Sequence, residues 1–118
     1  MLHTRVVRRV VVGLATAALG VAVAIPASAA TNPGSAKLGK AVFMANACGS
    51  CHVLKLAQGR GTIGPNLDKK KPTYKLIVAR VTNGKSPMIA YKGTLTTKQI
   101  QDVAAFVYNA THGLPTNK

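Results

Sequence analysis

Acidic side chains are almost missing from this 118-residue chain. Asp68 and Asp102 are the whole complement against 16 lysines and arginines, a formal net charge of +14. Cysteine is as scarce, with two; tryptophan is absent, and three tyrosines and two phenylalanines make up the aromatics. Two cysteines cannot build the multi-bridge framework of a small secreted toxin. The length allows one domain, which excludes a multidomain enzyme, and the chain lacks the repeated long apolar blocks of a polytopic membrane protein. There is no internal repeat and no strand-like alternation of apolar and polar residues, so the periodicities that do occur point to helices.

What is present begins with a leader pattern. Arg5, Arg8 and Arg9 precede an uncharged apolar run over residues 10–25, which ends at Pro26 and the small-residue string Ala27-Ser28-Ala29-Ala30. That order is the layout of a secretory signal, and the run is shorter than the roughly 20 residues that span a bilayer. The sequence therefore predicts a cleaved signal peptide over residues 1–30, a domain over residues 31–118, and an extracytoplasmic or periplasmic location. The Arg8-Arg9 pair lacks supporting neighbours for twin-arginine export, and no cysteine near the cleavage region offers a lipid anchor. Thirteen basic residues and both acidic ones lie beyond the leader, so most of the charge belongs to the domain. A small basic domain raises nucleic acid as a partner. Export removes it from the chromosome and no nucleic-acid module is recognisable, which leaves acidic protein surfaces and a peripheral attraction to anionic membrane. A domain this short also needs a staple beyond its apolar core, and the two cysteines sit where a staple would be.

Ser35 is placed to cap a helix over residues 36–47, with Leu38, Val42, Phe43 and Ala45 on or near one face. Residues 53–72 hold Gly59, Gly61, Gly64 and Pro65 and the run Lys69-Lys70-Lys71, the pattern of a long ordered loop, and loops of that length are commonly functional. The lysine run reads as a solvated loop before it reads as a docking site. Tyr74, Ile77, Val78 and Val81 are spaced for a helix over residues 73–82 that stops at Asn83-Gly84. After a loop over residues 85–95, Thr96 and Gln99 form a capping box with Leu95 and Ile100 as its staple. The last helix carries Ile100, Val103, Ala104 and Val107 on its core face and ends at Gly113 and Pro115. The fold class is all-α with long loops.

Cys48-Gly49-Ser50-Cys51-His52 is a C-x-x-C-H pentapeptide, the pattern of covalent haem attachment. Two thiols three residues apart on one turn reach the two vinyl groups on a porphyrin edge, and the next residue turns its imidazole onto the iron. Three other readings of the cysteines exist. A thioredoxin-type redox pair belongs after a strand in a βαβ unit, and no strand precedes Cys48. A structural zinc site needs four ligands, and beyond the pentapeptide the domain offers only His112. A plain disulfide between Cys48 and Cys51 is the third.

Around this motif, Gly39-x-x-x-Phe43 comes before, Gly64-Pro65-x-Leu67 after, then Met88 in a loop, and Val103-Ala104-Ala105-Phe106-Val107 in the final helix. In that order the chain resembles the class I c-type cytochromes over about residues 38–110, most of all the small bacterial and photosynthetic monohaem proteins. The resemblance implies a cytochrome c fold, three to four helices and long loops wrapped around one covalent haem c. It implies that His52 is the proximal iron ligand and that its second ring nitrogen donates to the backbone carbonyl of Pro65. It implies that Gly39, Phe43 and Phe106 form a close helix crossing. Leu67, Ile89 and Leu95 are expected to line the haem pocket, while Arg60 and Tyr91 either bond the propionates or are simply solvated. Of the two methionines beyond the leader, Met44 lies four residues before Cys48 on the attachment side. Met88 remains as the sixth ligand, in the loop where the family keeps its axial methionine. Relatives often have proline after that methionine, whereas here Pro87 precedes it and Ile89 comes next. Lys85, Lys92 and His112 stand as alternative ligands.

Histidine with methionine raises the reduction potential and fills both axial positions. The expected function is a monomeric, extracytoplasmic single-electron carrier, not an enzyme, shuttling between larger redox proteins with acidic docking surfaces. Two other readings stay open: a cytochrome subunit of a larger redox complex, and a five-coordinate haem protein that binds gases or acts on peroxide.

Overall fold

Two helices crossing at a glycine organise the molecule. The computed structural model describes residues 13, 20–24 and 32–118; the signal peptide and its cleavage site lie outside the described residues save for 13 and 20–24. Helix α1 (Ala36–Ala45) starts at Ser35, whose hydroxyl accepts the Leu38 N–H. Helix α4 (Thr97–His112) starts at Thr96 with the expected capping box, Thr96 Oγ1 accepting from Gln99 N and Gln99 Oε1 accepting from Thr96 N. Where the helices cross, Gly39 lies against the Asp102 carbonyl, so close that no side chain fits between the two backbones. Phe43 and Phe106 fill the adjacent space edge to face, ring centroids 5.8 Å apart, both fully buried. The expected crossing contact is thus present.

The face that α1 buries differs from the one its apolar residues suggest. Ala36, Gly39 and Phe43 are buried, whereas Leu38 is 52% exposed. Close approach at Gly39 fixes which face turns inward, and a glycine carries no hydropathy signal. On α4 the expected residues Ile100, Val103, Ala104 and Val107 are all buried. Helix α3 (Tyr74–Asn83), capped by Thr73 and ended by Gly84, buries Ile77 and packs Tyr74, Val78 and Val81 at the edge of the core. No helix among the described residues is long and apolar enough to cross a membrane.

Two departures from expectation lie just beyond α1. The helix ends at Ala45 and not at residue 47, because Ala47 takes a left-handed conformation (φ 50°) and turns the chain into a 3-10 turn over Cys48–Ser50. Residues 53–72, expected as loop, carry a two-residue antiparallel ladder of β1 (Val53–Leu54) and β2 (Gly59–Arg60), a 3-10 turn between them, and the short helix α2 (Leu67–Lys70). Strands of two residues are too short to show alternation, and α2 owes its start to Asn66, whose side chain accepts from Lys69 N.

Both carboxylates are used inside the fold. Asp68 accepts the Lys55 N–H at 2.9 Å, tying α2 to the hairpin. Asp102, 3% exposed, accepts from Ser35 N at 2.7 Å and from Lys98 Nζ at 2.9 and 3.0 Å, which clamps the segment before α1 onto α4. Replacing Asp102 by alanine strands the Ser35 N–H, and the expected loss of stability is about 2–3 kcal/mol, as for a hydrogen bond to a buried charge. Lys98→Ala should cost under about 1 kcal/mol, since that ammonium is largely in water. Denaturant unfolding of the two variants checks the ranking; equal losses would refute it.

Candidate haem site

The pentapeptide rests on a bed of glycines. The Gly49 carbonyl accepts from Gly61 N at 3.0 Å and the Cys51 carbonyl accepts from Gly64 N at 2.8 Å, so residues 49–52 and 59–64 run side by side as backbone against backbone. A methyl on Gly59 would sit 2.6 Å from the His52 carbonyl oxygen and 3.0 Å from the Gly49 Cα, and one on Gly61 would strike Ser50. In the sequence these glycines look like loop punctuation. Their signal is the cluster itself, three within six residues soon after the cysteines.

Helix α1 delivers the chain into the 3-10 turn, which places Cys48 and Cys51 on one turn with the Cys51 and His52 N–H groups both donating to the Cys48 carbonyl, at 3.2 and 3.1 Å. Both cysteines are partly buried and are not bonded to each other. Burial pushes the Cys48 thiol up to about 11, with a smaller push from Cys51 and an opposing effect of the Cys48 backbone hydrogen bond. No helper group for a zinc site is at hand: among the described residues no three His, Cys, Asp or Glu side chains gather closely enough to hold a metal. The element before Cys48 is a helix, which removes the βαβ setting of a thioredoxin-type pair.

His52 Nδ1 lies 2.8 Å from the Pro65 carbonyl oxygen. A carbonyl only accepts, so Nδ1 carries a hydrogen and donates it, which fixes the ring with Nε2 as the nitrogen that Pro65 does not engage. Gly64 packs flat against the same ring; an added Cβ would lie 2.7 Å from Nδ1 and 2.9 Å from Nε2. Gly64→Ala should therefore tilt the imidazole and weaken its bond to Pro65, and losing such a supporting partner typically costs a ligating histidine about 10–100-fold in metal affinity. Pro65→Ala keeps the carbonyl and should change little. Haem retention and reduction potential of the two variants test this, and equal behaviour would contradict it.

Met88 lies on a separate hairpin. Lys85 N donates to the Met88 carbonyl and Met88 N to the Lys85 carbonyl, at 3.0 and 2.8 Å, around the cis Ser86-Pro87 bond. Gly84 packs beneath Met88 and Ala90, and Tyr91 N and Lys92 N donate to Val81 and Thr82 of α3. The hairpin is thus anchored to α3 and independent of the missing proline after Met88. Met88 is partly buried, while Met44 is 54% exposed on α1. Burial holds the Tyr91 phenol above its ordinary value, with smaller contributions from Cys48 and Cys51. Leu67 and Leu95 are partly buried, Arg60 and Ile89 exposed, and His112 is stacked on Tyr108 at the end of α4.

These residues fit a covalent haem. Two thiols sit three residues apart on one turn, an imidazole is held through Nδ1 with Nε2 not engaged by Pro65, and Ile63 and Ile89, next to Gly64-Pro65 and to Met88, are 69% and 66% exposed. Large bare aliphatics beside the donor set are the apolar surface that a porphyrin covers.

Comparison with known proteins agrees. Residues 34–107 match the family described as Cytochrome C oxidase, cbb3-type, subunit III. The chain is 43% identical to cytochrome c6 of Nostoc sp. over 86 residues, covering 70% of this chain and 73% of that one. It is 46% identical to cytochrome c6 of Leptolyngbya boryana over 80 residues, covering 61% and 88%. The fold is similar to the crystal structure of the c-type cytochrome SorU from Sinorhizobium meliloti, with a TM-score of 0.61 and 37% identity over 64% of this chain and 90% of that one. With the helices, the glycine-bedded pentapeptide and the oriented histidine all in place, the chain belongs to the class I c-type cytochromes, small helical electron-transfer proteins, and carries one haem c bound through Cys48 and Cys51.

Proposed function

We propose that this protein is an exported, monomeric carrier whose iron is held by His52 Nε2 and Met88 Sδ. The haem supplies one-electron exchange between ferric and ferrous iron. His52 is held ready for its share by Pro65 and Gly64, so its ring does not reorient between oxidation states. Met88 is offered by a hairpin that Lys85, Gly84 and α3 keep in place. A filled sixth position leaves substrates no place at the metal, which makes the protein a carrier and not an enzyme. The observations that support this reading are the His52 ring held on the Pro65 carbonyl and the Met88 hairpin anchored to α3. Residues 1–30 act as the cleaved export signal, and residues 31–118 as the working domain outside the cytoplasm.

The charge supports acidic protein partners. Asp68 and Asp102 are engaged within the fold, so the surface presents cations with little carboxylate among them. Association with larger redox proteins should be steered and should slow as salt rises past about 0.1 M, where the Debye length falls to roughly 10 Å. Nucleic acid is not a partner; contact with anionic membrane is peripheral.

The test is the absorption spectrum of the exported protein, oxidised and reduced, followed by carbon monoxide on the reduced form. A haem c spectrum unmoved by carbon monoxide is expected; a shifted one would replace the carrier with a five-coordinate gas-binding or peroxide-using protein. A second reading, a cytochrome subunit of a larger redox complex, is favoured by the match to a terminal-oxidase subunit family. Size exclusion of the native extract separates the two, since a free carrier elutes alone and a permanent subunit does not.

A further inference from the structure

Asparagine is a chemically labile residue, and Asn83 is the only asparagine of this chain that glycine follows. It is exposed and closes α3. Gly84 carries no side chain to shield the backbone nitrogen beside the Asn83 amide, and its φ of 67° turns the chain out of the helix. The same glycine lies beneath the hairpin that holds Met88: a methyl on it would sit 2.6 Å from the Met88 carbonyl oxygen and 2.8 Å from the Ala90 nitrogen. Lys85, next in the chain, makes both backbone bonds to Met88. A reactive dipeptide thus stands at the root of the arm that leads to the axial methionine.

We propose that Asn83-Gly84 is a site of spontaneous modification, where conversion of Asn83 to isoaspartate withdraws Met88 from the sixth position and opens the haem to small ligands. The proposal rests on Met88 as the axial ligand. The Gly84 backbone nitrogen attacks the side-chain carbonyl carbon of Asn83 and closes a five-membered imide ring. The bond from that carbon to the side-chain nitrogen breaks, and the nitrogen leaves as ammonia with the proton that Gly84 gives up. Water then opens the ring. Cleavage at the side-chain carbonyl yields aspartate; cleavage at the main-chain carbonyl yields isoaspartate, in which the chain continues through the former side chain. Water is the only co-reactant, and nothing is oxidised or reduced. The helix restrains the first step, because Gly84 N donates to the Arg80 carbonyl at 2.8 Å and the last turn of α3 must open before that nitrogen can turn onto Asn83. Fraying ends open at little cost in free energy, so the reaction is slowed and not forbidden. Isoaspartate then adds a main-chain carbon between the Asn83 Cα and Gly84, while the returning arm stays tied through Tyr91 N to Val81 and Lys92 N to Thr82. The outgoing arm shifts against the returning one, Gly84 loses its seat under residues 88–90, and the tip with Met88 moves. Aspartate lengthens nothing and leaves Met88 in place.

The test ages haem-loaded protein in warm, mildly alkaline buffer and follows two readouts. Peptide mass mapping with isoaspartate methyltransferase labelling locates the modified residue, and carbon monoxide added to reduced samples reports the sixth position. In the wild type, isoaspartate is expected to accumulate at residue 83 severalfold faster than at any other asparagine, and the fraction that binds carbon monoxide should rise in step with it. Asn83→Gln, which keeps an amide on a longer side chain, should suppress both severalfold. Freshly made Asn83→Asp should stay inert to carbon monoxide, which separates the added charge from the added chain length. Absence of isoaspartate at residue 83, isoaspartate there with the carbon monoxide response unchanged, or an equal drift in Asn83→Gln would overturn the proposal. A fresh wild-type sample that already binds carbon monoxide would remove the Met88 reading and this proposal with it, a failure visible before ageing begins and so distinct from the others.

Discussion

Replacing Met88 by alanine is expected to lower the reduction potential by a sizeable part of the roughly 0.8 V that axial ligation commands, and to let carbon monoxide bind the reduced protein. The fold should survive. The hairpin is held by backbone bonds between Lys85 and Met88 and by Gly84 packed beneath it, none of which needs the Met88 side chain. What the substitution removes is the thioether, a soft ligand that favours ferrous iron and so raises the potential. Met44→Ala is the control, because it deletes the same chemical group from an exposed position on α1. Potentiometry and a carbon monoxide titration on the two variants decide the matter. If Met88→Ala matches the wild type in both, the sixth ligand lies elsewhere, and Lys85, Lys92 and His112 become the residues to test.

The site is more legible in the sequence than the surface that supports it. C-x-x-C-H states its chemistry in five adjacent residues, and Gly64-Pro65 stands close enough in the chain for its carbonyl to meet His52. Capping is equally local, and Ser35, Thr96 and Gln99 all act where the sequence places them. The features hidden from the sequence are those in which distant backbone segments touch. Gly59 and Gly61 look like turn residues, yet their role is to let a second segment lie against residues 49–52. Asp102 sits on α4 among apolar neighbours and looks like a solvated acid, but its partner Ser35 is 67 residues away. The inward face of α1 is obscured for the same reason: hydropathy favours Leu38, and a helix crossing chooses Gly39. Pairings between far-apart backbone groups leave no periodic trace in one chain.

That helix crossing carries the other large prediction, Gly39→Ala. An alanine in a helix interior is ordinarily favourable by roughly 0.5–1 kcal/mol over glycine. Here the added methyl would overlap the carbonyl of Asp102 and come within 2.8 Å of the Phe106 Cβ. The obstacle on the α4 side is backbone, which cannot rotate away as a flexible side chain would, so the helices must part. Parting them loosens the Phe43–Phe106 contact and strains the Ser35–Asp102 bond, both of which depend on the same separation. Overpacking of a close-packed core costs typically 1–3 kcal/mol and occasionally more. With the coupled contacts included, the expected net loss is at the upper end, about 3 kcal/mol, after the helix-propensity gain is set against it. Small mature domains have little stability to spare, so the variant should also give a poor yield of haem-loaded protein. Two controls isolate the cause. Ala41→Gly, at an exposed position of the same helix, should cost about 1 kcal/mol through propensity alone. Phe106→Leu in the Gly39→Ala background should cost less than Phe106→Leu alone, because the ring it trims has already been displaced. Denaturant unfolding of these variants beside the wild type gives each difference. Strict additivity between Gly39→Ala and Phe106→Leu, or a Gly39→Ala variant as stable as the wild type, would mean that the helices do not meet at that glycine.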